Sequence, residues 1–466
     1  MNNNEINNLI KNLIDSFNPS KTEEAQLNQV ACSIKNKIES YVSTNKMRYY
    51  FVNDVILGGS FAKGTWLKHE TDIDIFIKLN VQTTMEDFEK LGTEIGLQSL
   101  KEFNPYVRYA DHPYVEAYAG EVKVNVVPCF DVSYGKWKSA ADRSPFHTRY
   151  ITRYLDNDKK NHVRLLKKFL KANNIYGAEI STQGFSGYVC EVLILKFGSF
   201  LSVLEYFSNF TLENNIIVVS ENDVLDKEQL GKKFNSFLIL LDPVDSNRNL
   251  GAAISSHSVA KFIMTCRKFL KNPEPKYLAC QVTPLDHSMT EFFSPYILII
   301  EFKFSSRPPD IIWGQLKKSA NSISKFVNSY GFNIIKSSCY TDEKENCVIA
   351  FLMESPTISK LHKRIGPEVL RIGDTEKFIQ SNSDAPAKWI SEDIRVNCIL
   401  LRDFTNVKDY LEFVFKNKTN LIGIPKGLRK DFSSVKVYTL DQQKNINEHV
   451  KSTLLELLCS DTRILQ

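Results

Sequence analysis

Asp72 and Asp74 stand two residues apart in the apolar run TDIDIFI, a dozen residues after a Gly-Gly-Ser turn formed by Gly58, Gly59 and Ser60. In a strand alternate side chains share a face, so the two carboxylates point one way while Ile73, Ile75 and Ile77 point into a core. Two carboxylates so placed repel one another unless a cation lies between them, and Mg²⁺ carrying nucleotide phosphates is the usual cation for an oxygen-only site. The glycines permit a sharp turn, and the amides from Ser60 onward open a helix whose N-terminus attracts a triphosphate. Lys63 and Thr65 lie between turn and aspartates. The chemistry of this set is nucleotidyl transfer. A lone aspartate pair reads equally well as a polar strand edge, and it is the combination with the glycine turn that favours transfer.

Positive charge elsewhere bears on the same chemistry. In HVRLLKKFLKAN, residues Arg164, Lys167, Lys168 and Lys171 fall at i, i+3, i+4 and i+7, with Leu165, Leu166, Phe169 and Leu170 turned away. Such a stripe is a solvated helix face on most proteins, and beside a phosphate site it is a candidate wall of a triphosphate or RNA groove. The segment DPVDSNRN reads as a polar loop whose Arg248 either pairs with Asp242 or Asp245 or offers paired donors to a base edge. LHKRIGPEVLR, with Arg364, and IPKGLRKDF, with Lys426 and Arg429, suit contact with a phosphate backbone and suit an ordinary surface loop as well.

These residues need elements to position them. The 466 residues suffice for about three domains, and a 43% hydrophobic content supports buried cores. A net charge of +5 is too small to announce nucleic acid by itself. Nine scattered cysteines without CxxC or neighbouring histidines read as reduced, mostly buried thiols of a cytoplasmic protein. No stretch approaches the ~18–20 apolar residues of a membrane span, so no membrane partner is expected. Residues 5–48 read as helices, one of them begun by Ser20 with Glu23 three residues on. A strand, the glycine turn and the DID strand follow, then a helix from Thr83 or Thr84 and two strand-like runs, 106–118 and 120–130, the second broken by Pro128. Residues 150–270 turn helical, the last helix beginning near Ser255 or Ser256. From about 290 strands return around a long helix at 310–330, the alternation of a helix on an antiparallel sheet. Residues 356–405 read as a subdomain inserted before the helix NVKDYLEFVFKN.

The chain resembles the archaeal-type, class I CCA-adding enzymes, the tRNA nucleotidyltransferases that build the 3′ CCA end. The resemblance rests on GGSFAKGTWLKHETDIDIFI, VKVNVVPCF, SAADRSPFHTRY, the run RLLKKFLKANNIYGAEISTQGFSGYVCEVLILKFGSFL, DPVDSNRNLGAAIS and PDIIWGQLKKSANSISKF, in family order through the first two-thirds of the sequence. It implies an α+β fold with a polymerase-β-like nucleotidyltransferase head at 1–150 and a helical neck at 151–275. A mixed α/β body would occupy 276–355 with 406–466, and an inserted tail holding the tRNA elbow would occupy 356–405. It implies a cytoplasmic enzyme, often a homodimer, that uses CTP, ATP and Mg²⁺. Carried over by position, it makes Asp72 and Asp74 metal ligands, and makes Gly59, Ser60 and Lys63 the triphosphate cradle. His147, Lys167 and Tyr176 become contacts to phosphates or ribose, and Arg248 the residue that separates C and A from G and U. Lys168, Lys171, Arg364, Lys426 and Arg429 are candidate RNA contacts from their charge and setting alone, not from the resemblance.

One position departs from the family pattern. Where the resemblance calls for a third carboxylate, this chain has Asn125, which offers a metal a neutral oxygen but cannot accept a proton. Glu121 lies four residues away, roughly 13 Å along a strand, and Asp131 lies beyond Pro128, so neither replaces it. The expectation is a head that binds nucleotide and transfers slowly. The alternatives are a tRNA-binding protein that no longer catalyses, and a related nucleotidyltransferase with another acceptor, such as an oligonucleotide cyclase or a poly(A) polymerase.

Overall fold

Ser20 caps the helix that follows it, its hydroxyl accepting from the Glu23 amide at 3.1 Å. This holds in a computed structural model that describes residues 3–109, 112–219, 227–279, 284–417, 419–443 and 445–465. Cys280 lies outside the described residues. Two units form, residues 1–282 and 283–466.

In the first unit α1 (Asn3–Phe17) and α2 (Lys21–Thr44) precede β1 (Val52–Gly58), the short helix α3 (Gly59–Lys63) and β2 (Asp72–Leu79). Then come α4 (Met85–Ser99), β3 (Tyr106–Tyr109), β4 (Pro113–Ala119) and β5 (Val122–Phe130). Thr84 caps α4 by accepting from the Asp87 amide. The five strands form one sheet in the order β1-β2-β5-β4-β3, with β2 and β5 parallel and the other pairs antiparallel. On one face Ile73, Ile75 and Ile77 pack with Val124, Val126 and the α2 and α4 residues Ile34, Ile38, Phe88 and Ile95. The opposite face is left to the aspartates. Pro128, expected to break its strand, stays within β5. Pairing with β4 ends at Val126, and beyond it the Pro128 carbonyl faces His112 Nε2 at 3.0 Å rather than a strand, so the missing N–H forfeits no ladder bond.

The rest of the first unit is mainly helical: α5 (Ser144–Tyr154), α6 (Asn157–Ala172), α7 (Gly187–Phe197) and α8 (Phe200–Ser208). A small sheet of β6 (Ile216–Ile217), β7 (Ile239–Asp242) and β8 (Asp245–Asn249) follows, with α9 (Lys227–Phe234) between β6 and β7 and α10 (Ser256–Lys271) after β8. Ser255 caps α10. Arg248, expected in a loop, therefore lies on a strand: Leu241 pairs with Asn249 and Asp242 with Asp245, closing a hairpin that the Asp242 side chain tightens by accepting from the Val244 amide at 2.9 Å. Phe169, Phe185, Phe200, Phe207, Phe262 and Phe269 interlock at the centre of this region, all fully buried. Among the described residues no single helix is long and apolar enough to cross a membrane; the apolar pair α7 and α8 is bent by 91° and lies in this core.

In the second unit α11 (His287–Phe293) leads into a four-stranded antiparallel sheet with the order β10-β11-β9-β15. Its strands are β9 (Ile297–Lys303), β10 (Ile334–Thr341), β11 (Asn346–Met353) and β15 (Lys436–Thr439). One face is covered by α12 (Pro309–Tyr330) and α14 (Val407–Asn417), the other by α15 (Glu448–Cys459). Between β11 and α14 stands a separate sheet of order β12-β14-β13, built from β12 (Leu361–Glu368), β13 (Ala387–Ile390) and β14 (Arg395–Leu401), with α13 (Ile372–Ser381) beside it. The eight described cysteines are unpaired and six are buried, so none of them staples the fold.

Candidate active site

Asp72 and Asp74 share the open face of β2, an inner strand of the five-stranded sheet between β1 and β5. Asp74 pairs in register with Gly58 on β1 and with Asn125 on β5. Asp72 is about half exposed and forms an ion pair with Lys123 on β5 at 2.5 Å. Asn125 Nδ2 donates to Asp74 Oδ1 at 2.9 Å, while Asn125 Oδ1 is buried and has no partner. Burial holds the Asp74 carboxyl above its usual range and Asp72 adds to the shift; the Asn125 bond and the charges of Lys63 and Lys123 oppose it. An orphaned amide oxygen beside two carboxylates on one face is a donor set for a hard cation. Among the described residues no three of His, Cys, Asp and Glu gather as a metal cluster, and the unpartnered Oδ1 of Asn125 stands beside the aspartate pair.

The turn before α3 brings backbone against this pair. Gly59 has φ +63°, and a Cβ there would lie 1.8 Å from Asp74 Oδ2. Two cavities meet at Gly59, Lys63, Asp74 and Tyr188. One, of about 400 Å³, is bounded by His112, Tyr114, Ser144 and His147; the other, of about 320 Å³, by Ser60, Glu70, Asp72, Lys167, Lys171, Tyr176 and Glu191. Most of the residues expected to hold nucleotide therefore line one or other cavity. Arg248 lines neither; its Nη1 reaches Asp242 Oδ2 at 3.3 Å, the oxygen that also meets His147 Nε2 at 2.9 Å. Burial pulls the His147 imidazole below its ordinary pKa, against the pull of Asp242, and the ring stacks on Tyr188 at 4.0 Å.

The basic stripe of α6 divides. Arg164 and Lys167 are buried, only 7% and 2% exposed, and grip the chain that follows α3. Arg164 donates to the carbonyls of Gly64 at 2.7 Å and Trp66 at 3.1 Å, and Lys167 Nζ to that of Thr65 at 2.8 Å. Lys168 and Lys171 stay nearer the surface and share Glu70. Arg164 is thus a clamp between α6 and the chain after the glycine turn rather than a groove wall, whereas Lys167 clamps that chain and also lines the cavity. Arg164→Ala should cost about 2–4 kcal/mol in chemical denaturation, because two buried carbonyls lose charged donors; a change within 0.5 kcal/mol in urea would show the clamp to be idle. In the second unit Arg364 reaches Asn382 Oδ1 at 3.2 Å, and Arg429 holds Ile424 O and Asn420 Oδ1, each at 3.0 Å, while Lys426 is exposed.

Three neighbours of the site escaped the sequence reading, Glu116, Tyr188 and Glu191; Asp242 entered it only as a pairing partner of Arg248, which it is. Glu116 sits opposite Asn125 in the β4–β5 ladder, yet it is buried and engaged by Tyr106 Oη, with Arg108 at 3.8 Å. Glu191 carried a signal, being the one charge within GYVCEVLIL.

Three family models match separate stretches of the chain. The tRNA nucleotidyltransferase second-domain model matches residues 161–279, and the CCA-adding enzyme C-terminal-domain model matches 294–433. The Second Messenger Oligonucleotide or Dinucleotide Synthetase domain model matches 5–148. The chain is 31% identical over 426 residues to the CCA-adding enzyme of Methanocaldococcus jannaschii, covering 90% of this chain and 93% of that one. It belongs to the CCA-adding enzyme family. Identity to the CCA-adding enzyme of Saccharolobus solfataricus is 36% over 348 residues, covering 74% of this chain and 80% of that one. Among solved structures a cytoplasmic RNA terminal U-transferase is similar, with a TM-score of 0.46 and 13% identity over 60% of this chain and 100% of that chain. Family membership agrees with the head: it has the polymerase-β-like nucleotidyltransferase fold that the sequence resemblance implied.

Proposed function

We propose that this member of the CCA-adding enzyme family adds C, C and A to the 3′ end of tRNA from CTP and ATP, without a nucleic-acid template. The observation that carries the reading is the join of two facts: a similarity spanning 93% of a CCA-adding enzyme, and an aspartate pair that faces a lysine-lined cavity beside a glycine turn. In the proposed reaction the RNA 3′-hydroxyl oxygen bonds to the α-phosphorus as the bond to the β-phosphate oxygen breaks, and pyrophosphate leaves. Asp72, Asp74 and the free Oδ1 of Asn125 would hold a divalent cation, which we take to be Mg²⁺. When bound, it would neutralise phosphate charge and acidify the attacking hydroxyl. Gly59 and Ser60 let backbone approach the phosphates, Lys63, Lys167 and Lys171 offset their charge, and His147 and Tyr176 complete the walls. Arg248, tethered to Asp242, would read the base edge, and a site built around such donors discriminates strongly against mismatched bases. The sheet at 361–401 would hold the tRNA elbow. We further assign the enzyme to the cytoplasm and to a homodimer, the latter open to test by analytical ultracentrifugation.

Asn125 favours a second reading, a tRNA-binding protein without catalysis. Labelled CTP and then ATP, offered with a tRNA that ends at its discriminator base, should extend that tRNA by three nucleotides, and Asp72→Ala should abolish the extension. Tight tRNA binding with no incorporation even in high Mn²⁺ would favour the second reading. Incorporation that ignores tRNA and favours another acceptor would point to a different nucleotidyltransferase.

A further inference from the structure

Glu191 lies on α7 in an otherwise apolar stretch, is 1% exposed, and ends in the wall of the 320 Å³ cavity. Its Oε2 accepts from Lys63 Nζ at 2.8 Å, and its Oε1 accepts from the Thr65 hydroxyl at 2.5 Å. Lys167 Nζ stands 4.0 Å from Oε1. Lys167 has a second anchor in the Thr65 carbonyl, whereas among the described residues Glu191 is the single oxygen partner of the Lys63 ammonium, which otherwise rests 4.9 Å over the Tyr188 ring.

Charge makes this arrangement pointed. Three lysines, Lys63, Lys167 and Lys171, and four carboxylates, Glu70, Asp72, Asp74 and Glu191, line the cavity. Asp72 and Asp74 are suited to a cation, and Glu70 lies at the mouth, bound by Lys168 and Lys171. That leaves Glu191 as a buried anion inside a space meant for a polyanion, holding the very lysine that borders both cavities. A fixed negative charge there opposes a triphosphate, yet an unpaired buried lysine would be costly before the triphosphate arrives.

We infer that Glu191 is a positioning residue that stands in for phosphate: it neutralises Lys63 in the ligand-free site and gives the ammonium up to the incoming nucleoside triphosphate. The affinity for nucleotide is then lower than the cradle alone would provide, by the work of parting Lys63 from Glu191. The inference rests on the reading of this cavity as the triphosphate site, and one further variant separates the two.

Calorimetric titration of ATP into the full chain tests it. Glu191→Gln keeps the shape and the Thr65 bond while removing the charge, and should bind ATP at least about fivefold tighter while melting at a lower temperature without nucleotide. A merely structural glutamate would lower the melting point and leave affinity unchanged or weaker, and either of those results overturns the inference. Lys63→Met alone should weaken ATP binding, and in that background Glu191→Gln should no longer tighten it. If Lys63→Met leaves ATP affinity intact, the triphosphate reading itself fails; if it weakens ATP while Glu191→Gln does not strengthen it, only the role of Glu191 fails. Should Glu191→Gln not fold, a crystal structure of the unaltered chain with a non-hydrolysable CTP analogue decides. The Lys63 to Glu191 contact should then open beyond 4 Å, and its retention at 2.8 Å overturns the inference.

Discussion

Asn125→Asp should raise the rate of nucleotide transfer by about two orders of magnitude, the lower end of what a positioned proton acceptor contributes. In the present chain Asn125 donates through Nδ2 to Asp74 Oδ1 and keeps Oδ1 free. It therefore helps hold Asp74 as an anion, but it brings no negative charge of its own to a divalent cation and cannot receive the proton of the attacking hydroxyl. An aspartate at this register would supply both. It would also remove the one hydrogen bond that lowers the Asp74 pKa and set a third carboxylate beside Asp72 and Asp74, with Glu116 opposite it on β4. A second readout follows, independent of activity. In EDTA the aspartate variant should be less stable than the unaltered chain by about 1–2 kcal/mol at neutral pH, and Mg²⁺ or Mn²⁺ should restore more stability to the variant than to the parent. Single-turnover extension of a tRNA ending at its discriminator base, beside thermal melts with and without the cation, measures both effects. Equal transfer rates for the two forms would defeat the claim that Asn125 limits the reaction.

What could be read from the chain and what could not separate along a physical line. Local signals were legible. Ser20, Thr84 and Ser255 cap helices because their side chains bond amides three residues on, and the alternation in TDIDIFI places both aspartates on one face because strands have period two. Segment 162–173 shows where this legibility ends. Its spacing gives a basic stripe, but spacing does not say whether the stripe faces water, and the buried half is used to clamp the carbonyls of Gly64, Thr65 and Trp66 about a hundred residues earlier. Asp242 is a similar case: it accepts from His147, Tyr188, Val244 and Arg248, three of which belong to other elements, so its importance appears only when the fold converges on it. Pro128 was misleading for a related reason. Proline excludes a ladder donor, and whether a donor is needed depends on how far the neighbouring strand extends.

Gly59→Ala should abolish transfer, with a loss of at least about 10³-fold, because the methyl group would occupy the place of the Asp74 carboxylate. The argument has two parts that an experiment can separate. Gly59 adopts φ +63°, where alanine pays about 1–2 kcal/mol. In addition, the new Cβ would fall 1.8 Å from Asp74 Oδ2, 2.7 Å from its Cγ and 3.0 Å from its Cβ. Asp74 cannot retreat as a residue, since its backbone is paired with Gly58 on one side and Asn125 on the other. Its side chain must rotate off the shared face, which parts it from Asp72 and from Asn125 Nδ2. Gly120 supplies the control: its φ of +65° is nearly the same, and nothing lies within 4 Å of a Cβ built there. Gly120→Ala should therefore show the conformational cost alone in chemical denaturation and retain transfer. If the two alanine variants lose stability equally and both still extend tRNA, the glycine at 59 serves only the turn, and the close approach of backbone to Asp74 has no part in the chemistry.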